Sequence, residues 1–342
     1  MSKGIVFVPT DWLSDMLANA IGTLDCEIIR GPAAAGADLK VYDSAAAERL
    51  FGNADVILAS PDMQMDRTVM QAAPRLRAVI SPAIGVENID IDVATELGII
   101  VGHGATPENF LGMAEATVML IAALAMQLPG KQRLLAENAP RPRELTAHSV
   151  RGRTIGLVGM GRIARGVVDR LQGWECEILY YDPYVPQDHA PAGTRKVELD
   201  ELLRRADFVS LHVTITNETR GMLGERELRL MKPTAYLVNT SRGAALDEVA
   251  MYRVLKEGAI AGAALDTFVQ EPLPTDSPLR EFVDADNVIL TPHIIGQGKE
   301  VMDSLLRAVA ENIGRVLQGN PPLYTKNPAV IERWKARFKP LG

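Results

Sequence analysis

Between residues 157 and 182 the chain reads LVGMGRIARGVVDRLQGWECEILYYD, and no other stretch constrains its fold as tightly. An apolar run ends in Gly159-Met160-Gly161-Arg162-Ile163-Ala164. Residues at helical spacing follow, and a second apolar run ends in Asp182. This is G-x-G-x-x-A opening a helix after a strand, with an acid about 20 residues on: the dinucleotide-binding fingerprint in the context it requires. Gly159 allows the tight turn. Gly161 lets the backbone approach a pyrophosphate at the positive end of the helix. Ala164 is small enough for close helix–strand packing. A ligand-free glycine-rich turn is the plain alternative, and the second strand with its terminal acid argues against it. Asp182 also selects the dinucleotide. A carboxylate there accepts from ribose hydroxyls and repels a 2′-phosphate, and Pro183 and Tyr184 follow without an Arg or Lys. NAD is expected rather than NADP.

The fingerprint opens a Rossmann unit, yet about 150 residues precede it, which is room for another domain. Short apolar runs at Ile5–Val8, Glu27–Ile29, Val56–Ala59, Ala78–Ile80 and Ile99–Val101 fill that first part. Ile178–Tyr181, Phe208–His212, Tyr236–Asn239, Ala263–Leu265 and Val288–Leu290 follow the fingerprint. Strands alternating with helical periodicity predict an α/β fold with two doubly wound parallel sheets. The apolar helix Leu111–Leu128 is expected to cross between domains, and the helix Lys299–Leu317 to return. The first, substrate domain then spans 1–104 plus 296–342 and is discontinuous, and the cofactor domain spans 105–295. Residues 129–153 are polar and rich in Pro and Arg, and read as a surface loop or as an arm on another subunit.

A net charge of −7 gives no general attraction to nucleic acid or anionic lipid, so neither is expected as a partner. The longest apolar stretch, within Met113–Met126, falls short of the ~20 residues that span a bilayer. The N-terminus reads as a strand rather than a signal peptide. Two cysteines, Cys26 and Cys176, cannot build a disulfide framework and read as buried thiols in a reducing cytoplasm.

Ligands of parallel sheets bind at the carboxyl ends of the strands. Those ends carry Thr240, Ser241 and Arg242 in LVNTSRG, Asp266 in AALDTF and His293 in VILTPH, with Glu271 in the following turn VQEPLP. One cation, one imidazole and two acids thus converge where a nicotinamide would lie. Oxidation of a 2-hydroxy acid needs such a set. A base takes the hydroxyl proton while C2 gives up hydride, and imidazole suits the task. A carboxylate such as Glu271 would hold the ring and favour its protonated form. Arg242 offers a planar fork for a carboxylate. Taken singly, each has a bland reading: a loop cap for His293, a surface turn for Arg242, a solvated turn for Glu271, a helix cap for Asp266. Their joint placement favours a site. His212 reads as a structural edge residue, His103, His148 and His189 carry no assignment, and no cluster has metal-ligand spacing.

At these residues the chain resembles the D-isomer-specific 2-hydroxyacid dehydrogenases. The resemblance runs from about Val56 to Leu317 through GLVGMGRIAR, DFVSLHVTITNETRGMLG, LMKPTAYLVNTSRGAALDE, ALDTFVQEPLP and TPHIIGQ. It implies catalytic roles for Arg242, Glu271 and His293. It implies cofactor contacts at Arg162, Ile163, Asp182, Val213, Thr240, Ser241 and Asp266, the last holding the carboxamide. A substrate-carboxylate loop is implied at Ala83, Ile84 and Gly85. It also implies a flavodoxin-like first domain, an active site in a cleft, and homodimers built through the cofactor domain. Three departures concern the substrate. Ala59 and Ser81 stand where phosphoglycerate dehydrogenases usually carry Arg, Ala83 replaces a usual Gly, and Ala116 stands where His is common. A non-phosphorylated 2-hydroxy or 2-keto acid is therefore expected, with 3-phosphoglycerate oxidation and a dinucleotide-sensing, corepressor-like interaction protein as the alternatives.

Overall fold

In the computed structural model, which describes residues 3–10, 12–33, 40–142 and 147–338, strands and helices alternate along the chain. It begins β1 (Gly4–Thr10), α1 (Trp12–Ile21), β2 (Cys26–Ala33), α2 (Ser44–Phe51), β3 (Val56–Leu58) and α3 (Arg67–Ala72). Next come β4 (Ala78–Ile80), α4 (Ile91–Leu97), β5 (Ile100–Gly102), α5 (Pro107–Ala125) and α6 (Leu128–Ala136). The fingerprint supplies β6 (Thr154–Val158), α7 (Arg162–Arg170) and β7 (Glu177–Tyr181), followed by β8 (Thr194–Lys196), α8 (Leu199–Arg205) and β9 (Phe208–Leu211). Then follow α9 (Glu225–Leu228), β10 (Tyr236–Asn239), α10 (Glu248–Lys256), β11 (Gly262–Leu265) and β12 (Val288–Leu290). The helices α11 (Lys299–Leu317) and α12 (Ile331–Arg337) end the chain. Two units result, Met1–Asn109 with Gly298–Gly342, and Phe110–Gln297.

The first unit has a five-stranded parallel sheet ordered β2-β1-β3-β4-β5, the flavodoxin-like order. Successive strand residues point to opposite faces, and both faces are covered. Phe7, Ile57, Val79 and Val101 pack on one side with residues of α2, α3 and α4. Val6, Leu58, Ile80 and Ile100 pack on the other with Leu17, Ile21, Val309, Ile313 and Trp334. The last three belong to α11 and α12, so the chain's end completes a core that its beginning leaves open. Trp334 is fully buried and donates its indole N–H to the Arg77 carbonyl (2.7 Å).

The second unit has seven parallel strands ordered β12-β11-β10-β9-β6-β7-β8, the Rossmann order extended by one strand. The direction of winding reverses between β6 and β9, so the switch point lies at Val158 and Leu211. The short strand β8 is absent from the sequence reading because Thr-Arg-Lys carries no apolar run. Part of the segment 129–153 is helical as α6, and residues 143–146 lie outside the described residues. One expectation is corrected: α5 is 19 residues long and apolar enough to cross a bilayer. Ala114, Val118, Ile121 and Leu124 of this helix are packed into the second unit's core, which accounts for that hydropathy without a membrane. Cys26 and Cys176 are free thiols, partly rather than fully buried.

Candidate active site

The fingerprint turn is built around backbone. Gly159 has φ +95°, and a Cβ there would come within 2.6 Å of the His212 carbonyl oxygen, so only glycine fits. Gly161 caps α7 with extended backbone and no side-chain hydrogen bond, and a Cβ added there would meet nothing within 4 Å. The first N–H groups of α7, at the positive end of the helix, thus have no side-chain cap, and the space beside Gly161 is open. These features fit a dinucleotide pyrophosphate. Asp182 follows β7 and accepts from Met160 N (2.9 Å) with one oxygen and from Tyr184 N (2.9 Å) and Val185 N (3.2 Å) with the other. It thereby braces the turn as well as presenting a charge beside it. Val213 is half-buried just after β9.

Asn239, which the sequence reading passed over, organises the next turn. Its fully buried amide oxygen accepts from Ser241 N (3.1 Å) and Ser241 Oγ (2.9 Å), and its Nδ2 donates to the Arg242 carbonyl (3.0 Å). Asn before a turn at a strand end was the available signal. Thr240 Oγ1 lies 3.2 Å from Thr117 Oγ1, tying this turn to α5. Gly243 is obligatory, since a Cβ would sit 2.0 Å from the Phe268 carbonyl carbon. That close approach sets the Arg242 turn against the Phe268–Glu271 segment.

Glu271 is fixed by two donors. Phe268 N donates to Oε1 (2.9 Å), and Oε2 lies 2.7 Å from His293 Nδ1. Burial pushes the Glu271 carboxyl up, but the hydrogen bonds from His293 and Phe268 and the charges of His293 and Arg242 outweigh it. The net result lies below the ordinary carboxylate value. His293 sits at φ +56°, left-handed backbone that non-glycine residues seldom adopt. Asp266 holds it there. Its buried Oδ1 accepts from Thr291 Oγ1 (2.6 Å), Ile294 N (3.1 Å) and Ile295 N (3.2 Å), clamping the loop on both sides of the imidazole. Burial raises the Asp266 carboxyl despite these donors. The sequence located Asp266 but not this clamp, which depends on residues 25 to 29 positions downstream. A cavity of about 440 Å³ lined by Phe268, Glu271, Leu273, Leu290 and Pro292 lies behind the dyad, with neither Arg242 nor His293 in its wall.

Arg242, Glu271, His293, Asp266, the Thr240–Ser241 turn, Asp182 and the Gly159–Ile163 segment all belong to the second unit. Ala83, Ile84 and Gly85 belong to the first and follow β4. There Ser81 Oγ accepts from Ala83 N (3.2 Å) and donates to the Gly85 carbonyl (3.0 Å), bending the loop. Among the described residues the N–H groups of Ile84 and Gly85 make no hydrogen bond. Among the described residues no three His, Cys, Asp or Glu side chains group as a metal ion would require.

Residues 118–295 match the model of the D-isomer specific 2-hydroxyacid dehydrogenase NAD binding domain. A glyoxylate reductase of Korarchaeum cryptofilum is 42% identical over 275 residues, 78% of this chain and 81% of that protein. A D-3-phosphoglycerate dehydrogenase of Methanocaldococcus jannaschii is 38% identical over 78% of this chain, which spans 50% of that longer protein. Among solved structures, D-lactate dehydrogenase of Aquifex aeolicus complexed with NAD and lactic acid superposes with a TM-score of 0.80 at 26% identity, covering 96% of this chain and 98% of that one.

Proposed function

The chain belongs to the D-isomer specific 2-hydroxyacid dehydrogenases, and on that premise we propose that it reduces a small, non-phosphorylated 2-keto acid, glyoxylate first among the candidates. It is an NAD-linked oxidoreductase of 2-hydroxy and 2-keto acids. The observation that carries the catalytic part of this reading is the Glu271–His293 pair, held at 2.7 Å with the imidazole loop clamped by Asp266, while the choice of a non-phosphorylated acid rests on Ala59 and Ser81. NADH, when bound, supplies the hydride to C2 of the keto acid. His293 delivers a proton to the developing alkoxide oxygen through Nε2, because Nδ1 is engaged with Glu271. Glu271 aligns the ring and balances its positive charge. Arg242 binds the substrate carboxylate and polarises the keto oxygen. Thr240, Ser241 and Val213 line the cofactor, Ile163 N and the neighbouring first-turn N–H groups of α7 meet its pyrophosphate, and Asp182 meets the adenosine ribose. The first unit, the substrate domain of this proposal, offers the free N–H groups of Ile84 and Gly85, in the loop with Ala83, as groups of the kind that donate to a carboxylate.

The uncharged residues Ala59 and Ser81 disfavour phosphoglycerate, which would lose charge-assisted contacts of about 1.5–3 kcal/mol each. A panel of glyoxylate, hydroxypyruvate, pyruvate and 3-phosphohydroxypyruvate, followed by NADH absorbance, tests the reading. Turnover above about 1 s⁻¹ with the small acids supports it. Turnover with the phosphorylated acid alone would replace it, and none with any acid would favour a sensing role.

A cytoplasmic homodimer is part of the same proposal. Leu111, Met119 and Met126 lie seven to eight residues apart on one face of α5 and its extension, each 45–50% exposed, and Leu128 and Leu135 add apolar surface along α6. A second copy covering this face explains its composition, and sedimentation at the mass of one chain would refute it. The free cysteines fit a reducing compartment.

A further inference from the structure

Arg162 is the first residue of α7, directly after the uncapped Gly161. It is exposed, and among the described residues its guanidinium makes no hydrogen bond and no ion pair. What it touches is an aromatic face: Cζ lies 4.2 Å from the centroid of the Phe110 ring, at the start of the second unit. Phe110 itself is half-buried. The stack holds the planar cation without using any of its N–H groups, so all five donors remain available. An unheld arginine gives up rotamer freedom when it grips an anion. An arginine already laid on a ring has given it up beforehand, and the gain appears as affinity.

We propose that Phe110 is a positioning residue for the dinucleotide phosphates, acting through Arg162 and not by touching the reacting atoms. The proposal rests on the reading of the fingerprint as the cofactor site. It adds a determinant of cofactor affinity that lies about 50 residues before the fingerprint, outside any glycine pattern.

Calorimetric titration of NADH and of ADP-ribose, which has the pyrophosphate but no nicotinamide, tests it on four forms of the full chain. These are the parent, Phe110→Ala, Arg162→Gln and the double variant, with Phe110→Tyr as the conservative control. Phe110→Ala should weaken both ligands about 3- to 30-fold, the range of a cation–π contact expressed as a ratio of dissociation constants. Phe110→Tyr should stay within about twofold, since it keeps the ring face. With Arg162→Gln present, Phe110→Ala should cause no further loss. Adenosine, lacking phosphate, should bind all forms alike. Equal losses from Phe110→Ala with and without Arg162 would overturn the proposal, because the ring would then act through packing alone. A loss from Arg162→Gln with none from Phe110→Ala would also overturn it while leaving the cofactor site intact. If Arg162→Gln itself changed nothing, the assignment of Arg162 to the cofactor would fall, and the proposal with it.

Discussion

The two units share one building scheme, a parallel sheet with helices on both faces, and α2, α3 and α4 of the first make an instructive contrast with α7 of the second. In the first unit α2, α3 and α4 each begin with an aspartate, Asp43, Asp66 and Asp90. Each carboxylate accepts a backbone N–H of its own helix, from Ala46, Val69 and Val93. Their positive ends are filled from within, each cap contributing about 1 kcal/mol. In the second unit α7 begins with Gly161, which has nothing to offer, at the switch point of the sheet. The strand ends differ in the same sense. After β4 the first unit presents main-chain N–H groups, whereas the second presents Arg242, Glu271 and His293. An absent cap is not enough to mark a site, since α11 also starts at an uncapped glycine, Gly298; at α7 it coincides with the glycine turn and the switch point of the sheet, on the unit that carries Arg242, Glu271 and His293.

Removing the imidazole breaks the contrast most severely. His293→Ala should lower kcat by about 10²–10⁴-fold, the usual worth of a positioned acid or base, with NADH affinity nearly unchanged. Turnover near the parent level in stopped-flow reduction would mean that the chemistry lies elsewhere.

Giving α7 the kind of cap its counterparts have sharpens the contrast. Gly161 has φ −77° and ψ −167°, close to Asp66 at −102° and −172°, and open space where a side chain would go. Gly161→Asp should therefore stabilise the fold by about 0.3 kcal/mol, the few tenths that separate aspartate from glycine at a helix start. It should weaken NADH about 30- to 100-fold, because a fixed carboxylate then holds the anion position and repels the pyrophosphate. Melting and titration on the same sample read both signs at once. A variant that gains stability and keeps its affinity would show that the open helix end is not the phosphate site.

A smaller effect concerns the choice of dinucleotide. Asp182→Asn keeps an acceptor for the turn but removes the charge that opposes a 2′-phosphate. The preference for NADH over NADPH should fall about tenfold, roughly 1.4 kcal/mol. An unchanged ratio of kcat/KM values would assign the preference to other residues.

The last prediction touches stability alone. His212 follows β9, its Nε2 lies 2.9 Å from the buried Ser210 hydroxyl, and burial pushes its pKa down from 6.5 to about 4, although an edge of the residue reaches solvent. Above pH 6.5 both folded and unfolded chains keep it neutral. As the pH falls from 6.5 towards 4 the unfolded chain takes up a proton that the folded one refuses. Stability is then lost, by up to about 3 kcal/mol, and below 4 no further loss follows from this group. His212→Gln should flatten the denaturant midpoint across that window, and an unaltered slope would assign the acid sensitivity to other groups.

Much of this was legible in the chain because it is local. The fingerprint occupies six consecutive residues, and its turn is dictated by glycine at φ +95° and by the helix that must follow. Alternation of apolar strands and periodic helices predicted parallel sheets, and Arg242, Glu271 and His293 stood out as candidates from their places at or just after strand ends and from the family resemblance. Helix α11 was readable to its exact ends from apolar spacing and the Gly319-Asn320-Pro321 stop. The strand β8 was not, because Thr194–Lys196 joins the sheet through backbone pairing to β7 rather than through apolar side chains.

What the sequence determined by itself, then, is the class of fold, the dinucleotide turn and the candidates for the reacting groups. These rest on residue types at short spacing, where backbone geometry and side-chain chemistry act directly. Tertiary structure alone decided how those groups are held. Asp266 reaches residues 291 to 295, Asn239 braces the arginine turn, Gly243 admits the Phe268 backbone, and Phe110 meets Arg162 across 52 positions of chain. Each contact joins residues that only the sheet order and the packing of α5 bring together. A linear pattern carries propensities and periodicities, but not the distances between its distant parts.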